Sequence, residues 1–192
     1  MRLRETMVNT ARTAIFGGAF LVESTRFGDD RGAFIEAYRE SEFGMTFVQG
    51  NVSVSRKSVV RGLHYQVKHP QGKLMRTLHG RTFNAIVDMR SASPTLGKVF
   101  TTTLDRPELG LWVPPGFANS LAALQDQTVT SYHVMTYYEP RYDRALFAFD
   151  PALNIPWPTG LESSAIMSEK DRAAPCFSEA ERVPPEEWQS PS

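Results

Sequence analysis

The stretch Val59-Val-Arg-Gly-Leu-His-Tyr-Gln66, followed by Lys68-His-Pro-Gln-Gly72 and then Lys73-Leu-Met-Arg76, decides the fold. It reads as two strands, over residues 58–66 and 73–78, joined by a tight Pro/Gly connection. His64 and Lys73 then stand on either side of one turn, where an imidazole and an ammonium can reach a common pocket. A base and a positive charge are what removal of a proton next to a carbonyl requires. The same two residues read equally well as surface or packing side chains of a hairpin, and this stretch alone leaves both readings open.

The pattern continues outward. In residues 46–55, Phe47, Gln49, Asn51, Ser53 and Ser55 share one face at period two, with Val48, Val52 and Val54 on the other. Such a polar row faces solvent on an open sheet, or lines a ligand cavity in a closed or two-sheet barrel. Further strands are expected over 13–22, with Gly17-Gly18 as a bulge, and over 33–38, 81–89, 99–104, 111–113, 120–124, 128–135 and 145–149. Turn clusters such as Phe27-Gly-Asp-Asp-Arg-Gly32, Pro107-Glu-Leu-Gly110 and Pro114-Pro-Gly116 separate them. Many short strands with regular punctuation indicate an all-β sandwich or barrel. Helix is confined to short pieces: residues 39–44, closed by Gly44, and one turn opened by the capping box Ser168-Glu-Lys-Asp171. The chain reads as a single domain over residues 1–192. Its core spans about 13–158, a short helical segment 159–183, and a loose tail 184–192, after a loose N-terminal arm over 1–12.

Composition excludes several classes. The 192 residues carry 21 Lys plus Arg against 21 Asp plus Glu, so bulk electrostatics give no footprint for nucleic acid. The one cysteine, Cys176, rules out an intrachain disulfide framework and fits a reducing cytoplasm. Arg2, Arg4 and Arg12 before the apolar run 14–22 loosely resemble a signal peptide. The run is short and ends in Glu23, and no apolar segment is long enough to span a membrane. His64, His69, His79 and His133 form no His-x-His pair and have no Cys or Glu at ligand spacing, so no metal site is expected. Rossmann, P-loop and nucleophile-elbow motifs are absent.

What remains is a set of residues suited to phosphate, base and proton chemistry. Arg31 and Arg61 offer guanidinium forks for phosphate, and Phe34 a face for stacking. Tyr132, in Thr128-Val-Thr-Ser-Tyr-His-Val-Met135, alternates with Thr130 and Val134 opposite His133. A phenol so placed can return a proton to an enolate. Each also has a plain structural reading as a solvated Arg, a core Phe or a buried hydrogen-bonded Tyr.

Taken together, nine segments resemble the dTDP-4-dehydrorhamnose 3,5-epimerase family of deoxysugar nucleotide epimerases. They are Asp30-Arg-Gly-Ala-Phe34, Phe47-Val-Gln-Gly-Asn51, Arg61-Gly-Leu-His-Tyr-Gln66, Gln71-Gly-Lys-Leu74, Val87-Asp-Met-Arg90, Ser93-Pro-Thr-Leu-Gly97, Pro115-Gly-Phe-Ala118, Tyr137-Tyr138 and Ile155-Pro-Trp-Pro158. They occur in family order between Phe16 and Pro175. The resemblance implies a jelly-roll (cupin-type) double-sheet barrel with a few short helices. It implies a homodimer that needs no metal or other cofactor, binds a dTDP-4-keto-6-deoxyhexose, and inverts C3, C5 or both through an enolate.

It also implies roles. His64 would be the base, Asp171 its orienting carboxylate, Lys73 the stabiliser of the enolate oxygen, and Tyr132 the proton donor from the opposite face. Arg61 and Lys170 would hold the diphosphate. Gln49 and Asn51 would line the site, and Asn119, Tyr138 and Asp143 would also meet the substrate. Arg31, Phe34 and Glu36 would meet the nucleotide from the neighbouring subunit. The alternatives are a 3,4-ketoisomerase-like cupin on the same substrate and a non-catalytic sugar-nucleotide-binding jelly roll.

Two tensions and several departures accompany the resemblance. Strict alternation puts Arg61 and His64 on opposite strand faces, which a bulge or bend at Gly62 would reconcile. Asp171 is claimed both by helix capping and by His64. The family usually reads Gly-Phe-Ala-His-Gly-Phe where this chain reads Gly116-Phe-Ala-Asn-Ser-Leu121. Asn84 replaces a usual Asp, Gly50 a usual acidic residue and Asp143 a usual Glu.

Overall fold

The computed structural model describes residues 10–189. Thirteen strands follow one another as β1 (Thr10–Ala14), β2 (Phe20–Ser24), β3 (Arg26–Asp29), β4 (Gly32–Ile35), β5 (Gln49–Ser55), β6 (Val60–Gln66), β7 (Lys73–His79), β8 (Thr82–Asp88), β9 (Val99–Leu104), β10 (Leu109–Val113), β11 (Phe117–Ala123), β12 (Thr128–Val134) and β13 (Asp143–Ala145). Four single-turn helices, α1 (Glu40–Phe43), α2 (Leu161–Ser164), α3 (Glu169–Arg172) and α4 (Pro185–Trp188), complete the frame with a 3-10 turn at Pro151–Leu153. The strands form a six-stranded sheet in the order β1-β2-β10-β7-β12-β5, a five-stranded sheet in the order β13-β6-β11-β8-β9, and the separate hairpin β3-β4. All the pairings are antiparallel, the arrangement of a jelly roll.

The two large sheets pack face to face. Met75, Leu111 and Val113 from one wall share a buried cluster with Ile86, Leu104, Phe117 and Leu121 from the other. The five-stranded sheet is also covered on its outer face, where Leu63, Tyr65, Ala85 and Val87 pack under Leu146, Leu153, Ala180 and Val183. Covering on both faces explains why β8 loses alternation and runs Ala85-Ile-Val87 with no exposure at any of the three. The edge strand β5 does the reverse. Its polar row Gln49, Asn51 and Ser53 is half-buried, while Val52 and Val54 stand 66% and 57% exposed. The polar face therefore looks into the barrel, the second of the two arrangements the alternation allows.

Three local readings are corrected. Residues 13–22 are not one bulged strand. Gly17 and Gly18, at φ +59° and +90°, reverse the chain and turn β1 back onto β2 as a hairpin. The arm expected over 1–12 contributes residues 10–12 to β1, and its first nine residues lie outside the described residues. The tail expected from 184 onward is docked as far as Gln189. Val183 bridges to Arg90, and the Arg90 guanidinium sits between the Phe117 and Trp188 rings at 4.6 and 4.7 Å. Arg90 is itself held by two hydrogen bonds of 2.9 and 2.8 Å to the Asp88 carboxylate.

The anticipated bend at Gly62 is present. Asn119 of β11 faces His64, yet Leu121, two residues on, faces Arg61, three residues back along β6. The extra residue in β6 restores Arg61 and His64 to the same wall. Gly62 takes φ +100°, and a Cβ there would lie 2.4 Å from the Asn119 carbonyl oxygen. Gly62→Ala therefore meets both backbone strain and a backbone clash. It is expected to lower stability by about 2 kcal/mol or more, measured as a shift of the urea midpoint at constant m-value. A midpoint within error of wild type would show that the bulge relaxes freely.

Candidate active site

The bulge positions β6, and α3 then supplies its partner. Ser168 caps α3 by accepting the Asp171 N–H at 3.1 Å. The Asp171 carboxylate is left for β6: Oδ1 accepts from His64 Nε2 at 2.5 Å, and Oδ2 from the Gly62 N–H at 3.4 Å. The two claims on Asp171 are thus divided between its backbone and its side chain. Burial alone would push the Asp171 carboxyl up. The hydrogen bond and charge of His64, with the Gly62 and Ser168 bonds, outweigh this and hold it below the usual carboxylate range. With Nε2–H donating to Asp171, the free lone pair of His64 is on Nδ1.

His64 borders a cavity between the sheets that has two lobes. One, of about 380 Å³, is lined by Gln49, Asn51, Gln71, Tyr138, Asp143 and Lys170. The other, of about 540 Å³, is lined by Ser53, Val60, Arg61, Met75, Asn119 and Leu121 with Ile166 and Met167. His64, Lys73, Tyr132, Ser168 and Asp171 border both. The base candidate comes from the five-stranded sheet, whereas Tyr132 on β12 comes from the six-stranded sheet, paired with Met75 and Asn51. The imidazole and the phenol therefore approach the cavity from opposite walls. Burial raises Tyr132, with the Arg61 charge opposing, so at neutral pH it carries its proton.

Lys73 opens β7 and is 8% exposed. Its Nζ donates to Asn119 Oδ1 at 2.7 Å. Burial lowers its pKa to about 8, with the Asp143 charge opposing. Asp143 also accepts from the Tyr138 hydroxyl at 3.0 Å and pairs with Lys170. Gln49 Nε2 donates to Asn51 Oδ1 at 2.9 Å, which ties the two inward amides of β5 together.

The structure thus brings together eleven of the fourteen residues expected at the site. Arg31, Phe34 and Glu36 stand apart from it. Arg31 and Phe34 line a separate hollow on the β3-β4 hairpin, where Arg31 pairs with Asp29. Glu36 pairs with Arg39. Sequence reasoning passed over Ser168, Met75, Ile166 and Met167 as cavity residues. Met75 follows from Lys73 by alternation and was legible. Ile166 reaches the cavity only through an isolated bridge to Val59, which leaves no periodic trace. Among the described residues no three His, Cys, Asp or Glu side chains cluster as metal ligands, and no helix is long and apolar enough to cross a membrane.

With this geometry, comparison with known proteins is direct. The family model for dTDP-4-dehydrorhamnose 3,5-epimerase matches residues 13–179. This chain belongs to that family. The dTDP-4-dehydrorhamnose 3,5-epimerase of Pseudomonas aeruginosa is 37% identical over 171 residues, covering 85% of this chain and 93% of that protein. Among solved structures, dTDP-6-deoxy-D-glucose-3,5-epimerase RmlC from Legionella pneumophila, in complex with dTDP-4-keto-L-rhamnose, superposes with a TM-score of 0.82. It is 36% identical, covering 90% of this chain and 94% of that one. ChmJ, a 3'-monoepimerase from Streptomyces bikiniensis in complex with dTDP-quinovose, gives 0.81 at 29% identity, with 90% and 92% covered. The cupin jelly roll read from the sequence is the fold observed, and it is shared with these epimerases.

The buried Asp171 carboxylate has a consequence for stability. A carboxyl held below its unfolded value stabilises the fold fully above the unfolded pKa of about 3.9, and loses that contribution as pH falls through its folded value. Asp171→Ala is expected to lower stability at pH 7 by about 2 kcal/mol, with the gap to wild type narrowing below about pH 4. Urea denaturation across that range measures it. A gap that stays constant with pH would mean that the carboxylate charge contributes nothing to the fold.

Proposed function

We propose that the protein is an isomerase that inverts C3, C5 or both of a dTDP-4-keto-6-deoxyhexose, without metal or redox cofactor, in deoxysugar biosynthesis. The observation that carries this reading is the placement of an Asp-paired imidazole and a protonated phenol on opposite walls of one cavity that a buried ammonium also borders.

His64 Nδ1 removes the proton from the carbon next to the C4 ketone. The C–H electron pair moves into the enolate, and charge develops on the C4 oxygen. Lys73 meets that charge in a site where water is scarce, so its attraction is stronger than in solution. Asp171 stabilises the imidazolium that forms, as a carboxylate does for a catalytic imidazole. Tyr132 then delivers a proton to the opposite face of the same carbon, which inverts it. Solvent afterwards reprotonates the phenolate and takes the proton from His64, so no atom is gained or lost. Arg61 and Lys170 serve the diphosphate, Lys170 exchanging its Asp143 partner for phosphate. Gln49, Asn51, Asn119, Tyr138 and Asp143 line the substrate's path.

The hairpin β3-β4 supports the reading of a homodimer. Among the described residues it pairs with no other strand, and it holds Phe27 and Phe34 44% and 66% exposed. Arg31, Phe34 and Glu36 would then reach the nucleotide in a neighbouring subunit. The neutral charge balance and single cysteine fit a cytoplasmic protein.

The test is NMR of dTDP-4-keto-6-deoxyglucose incubated with the protein in D2O. Deuterium is expected at C3, C5 or both, with an inverted product. A shifted ketone would identify a ketoisomerase instead, and absence of exchange a binding protein. His64→Asn is expected to abolish exchange, and full exchange in that variant would remove His64 as the base. Tyr132→Phe is expected to spare exchange more than inversion. Equal losses of both would remove Tyr132 as the separate donor.

A pH profile follows from Lys73. As pH rises through about 8 the ammonium loses the charge that stabilises the enolate. kcat is expected to decline on that side, and Lys73→Gln to lose roughly 100-fold or more together with this alkaline limb. An unchanged limb in Lys73→Gln would assign the titration to another group.

A further inference from the structure

One bond at the site has no counterpart among the roles above. Lys73 belongs to the six-stranded sheet, and Asn119, its acceptor at 2.7 Å, belongs to the other. Asn119 is also the register partner of His64. The Lys73 ammonium is therefore held against the same wall that carries the imidazole. Among the described residues no second side chain or carbonyl accepts from Lys73 Nζ, so its orientation rests on this one amide. An ammonium has three N–H groups, and one bond to Asn119 leaves two for the cavity.

We propose that Asn119 is the positioning residue for Lys73, holding its ammonium beside His64 where it meets the enolate oxygen. The inference rests on the epimerase reading. Lysine has a flexible stem with about 2 kcal/mol of rotamer entropy, so without an acceptor its Nζ samples other directions. An amide oxygen accepts at every pH. An imidazole, the usual family residue here, accepts only when neutral, and repels the ammonium once charged. Asn119 thus couples to Lys73 without adding a titration of its own. The titratable groups sharing the cavity with Lys73 are His64 and Tyr65 from β6, Asp171 and Lys170 from α3, Tyr132 from β12, and Asp143 with Tyr138 from the β13 side; Arg61 faces the second lobe. Of these, only Asp143 supports the Lys73 charge appreciably, against burial.

The experiment compares Asn119→Ala and Asn119→Asp with wild type over pH 6–10. Two readouts are used: kcat and KM for the epimerisation, and NMR titration of the Lys73 side chain in substrate-free protein. Asn119→Ala is expected to lower kcat about 10- to 100-fold with KM changed less than about threefold. It should also move the alkaline limb and the NMR midpoint to lower pH by about half a pH unit or more. Asn119→Asp places a carboxylate against the ammonium and is expected to move both to higher pH. Should Asn119→Ala fail to fold, the nearly isosteric Asn119→Asp carries the test by itself. A fall in kcat with limb and midpoint unmoved overturns the proposal, since a merely structural Asn119 behaves that way. If wild type produces no solvent exchange while the Lys73 midpoint still shifts, the coupling stands and the epimerase reading falls.

Discussion

The site depends on one mismatch of register. Three residues of β6 are set against two of β11, and the surplus residue is Gly62. Without it, Arg61 and His64 would alternate to opposite faces, and one of them would leave the barrel. The same bend turns the Gly62 N–H toward Asp171 Oδ2, so the carboxylate that pairs with His64 is fixed from two directions. The requirement for glycine comes from the approach of β11. Any side chain would enter the space of the Asn119 carbonyl. One local distortion thus sets the wall residue, its carboxylate partner and the neighbouring amide.

The distortion is held in place by the layering around it. β6 lies inside the five-stranded sheet between β13 and β11, and that sheet is covered on both faces. Leu63, immediately after the bulge, is completely buried in the outer cluster. Burial of a Leu side chain is worth roughly 2 kcal/mol, which anchors the strand immediately past the bulge. The C-terminal segment does double duty. Its 146–183 portion forms the outer cover, and within it α3 carries Asp171 over the edge of β6. His64 and Asp171 are 107 residues apart in the chain, and the segment that covers the sheet also brings them together.

Much of this was legible in the sequence, for physical reasons that differ by residue. The alternation of β5 announced a polar row, because a period of two survives wherever the two faces of a strand differ, but whether it faced solvent or cavity was decided only by the packing of the two sheets. β8 was legible as a strand but not as a face, because burial on both sides erases alternation. The capping of α3 by Ser168 was local and therefore readable. The destination of the Asp171 side chain came from the family resemblance alone, because it depends on a partner far along the chain that no local pattern marks. Gly17-Gly18 was misread as a bulge because consecutive glycines serve a bulge or a reversal equally, and only the pairing of β1 with β2 decides. Ile166 and Met167 reach the cavity from irregular backbone, where no periodicity exists to read.

Three of the residues that depart from the family pattern, Asn119, Leu121 and Asn84, lie together on β11 and β8 of the five-stranded sheet, whereas Gly50 stands on β5 of the other sheet and Asp143 on β13. Asn119 and Leu121 are adjacent inward positions of β11, and Asn84 is the register partner of Leu121 on β8. Asn84 donates to Thr82 Oγ1 at 2.8 Å, and its buried Oδ1 has no hydrogen-bond partner. An Asp there would have placed a full charge in the barrel interior beside the apolar Leu121, at a desolvation cost that an amide avoids. None of the three belongs to the His64–Asp171 pair or to Tyr132. They belong to the sheet that carries His64, and Asn119 alone among them reaches across to the Lys73 ammonium.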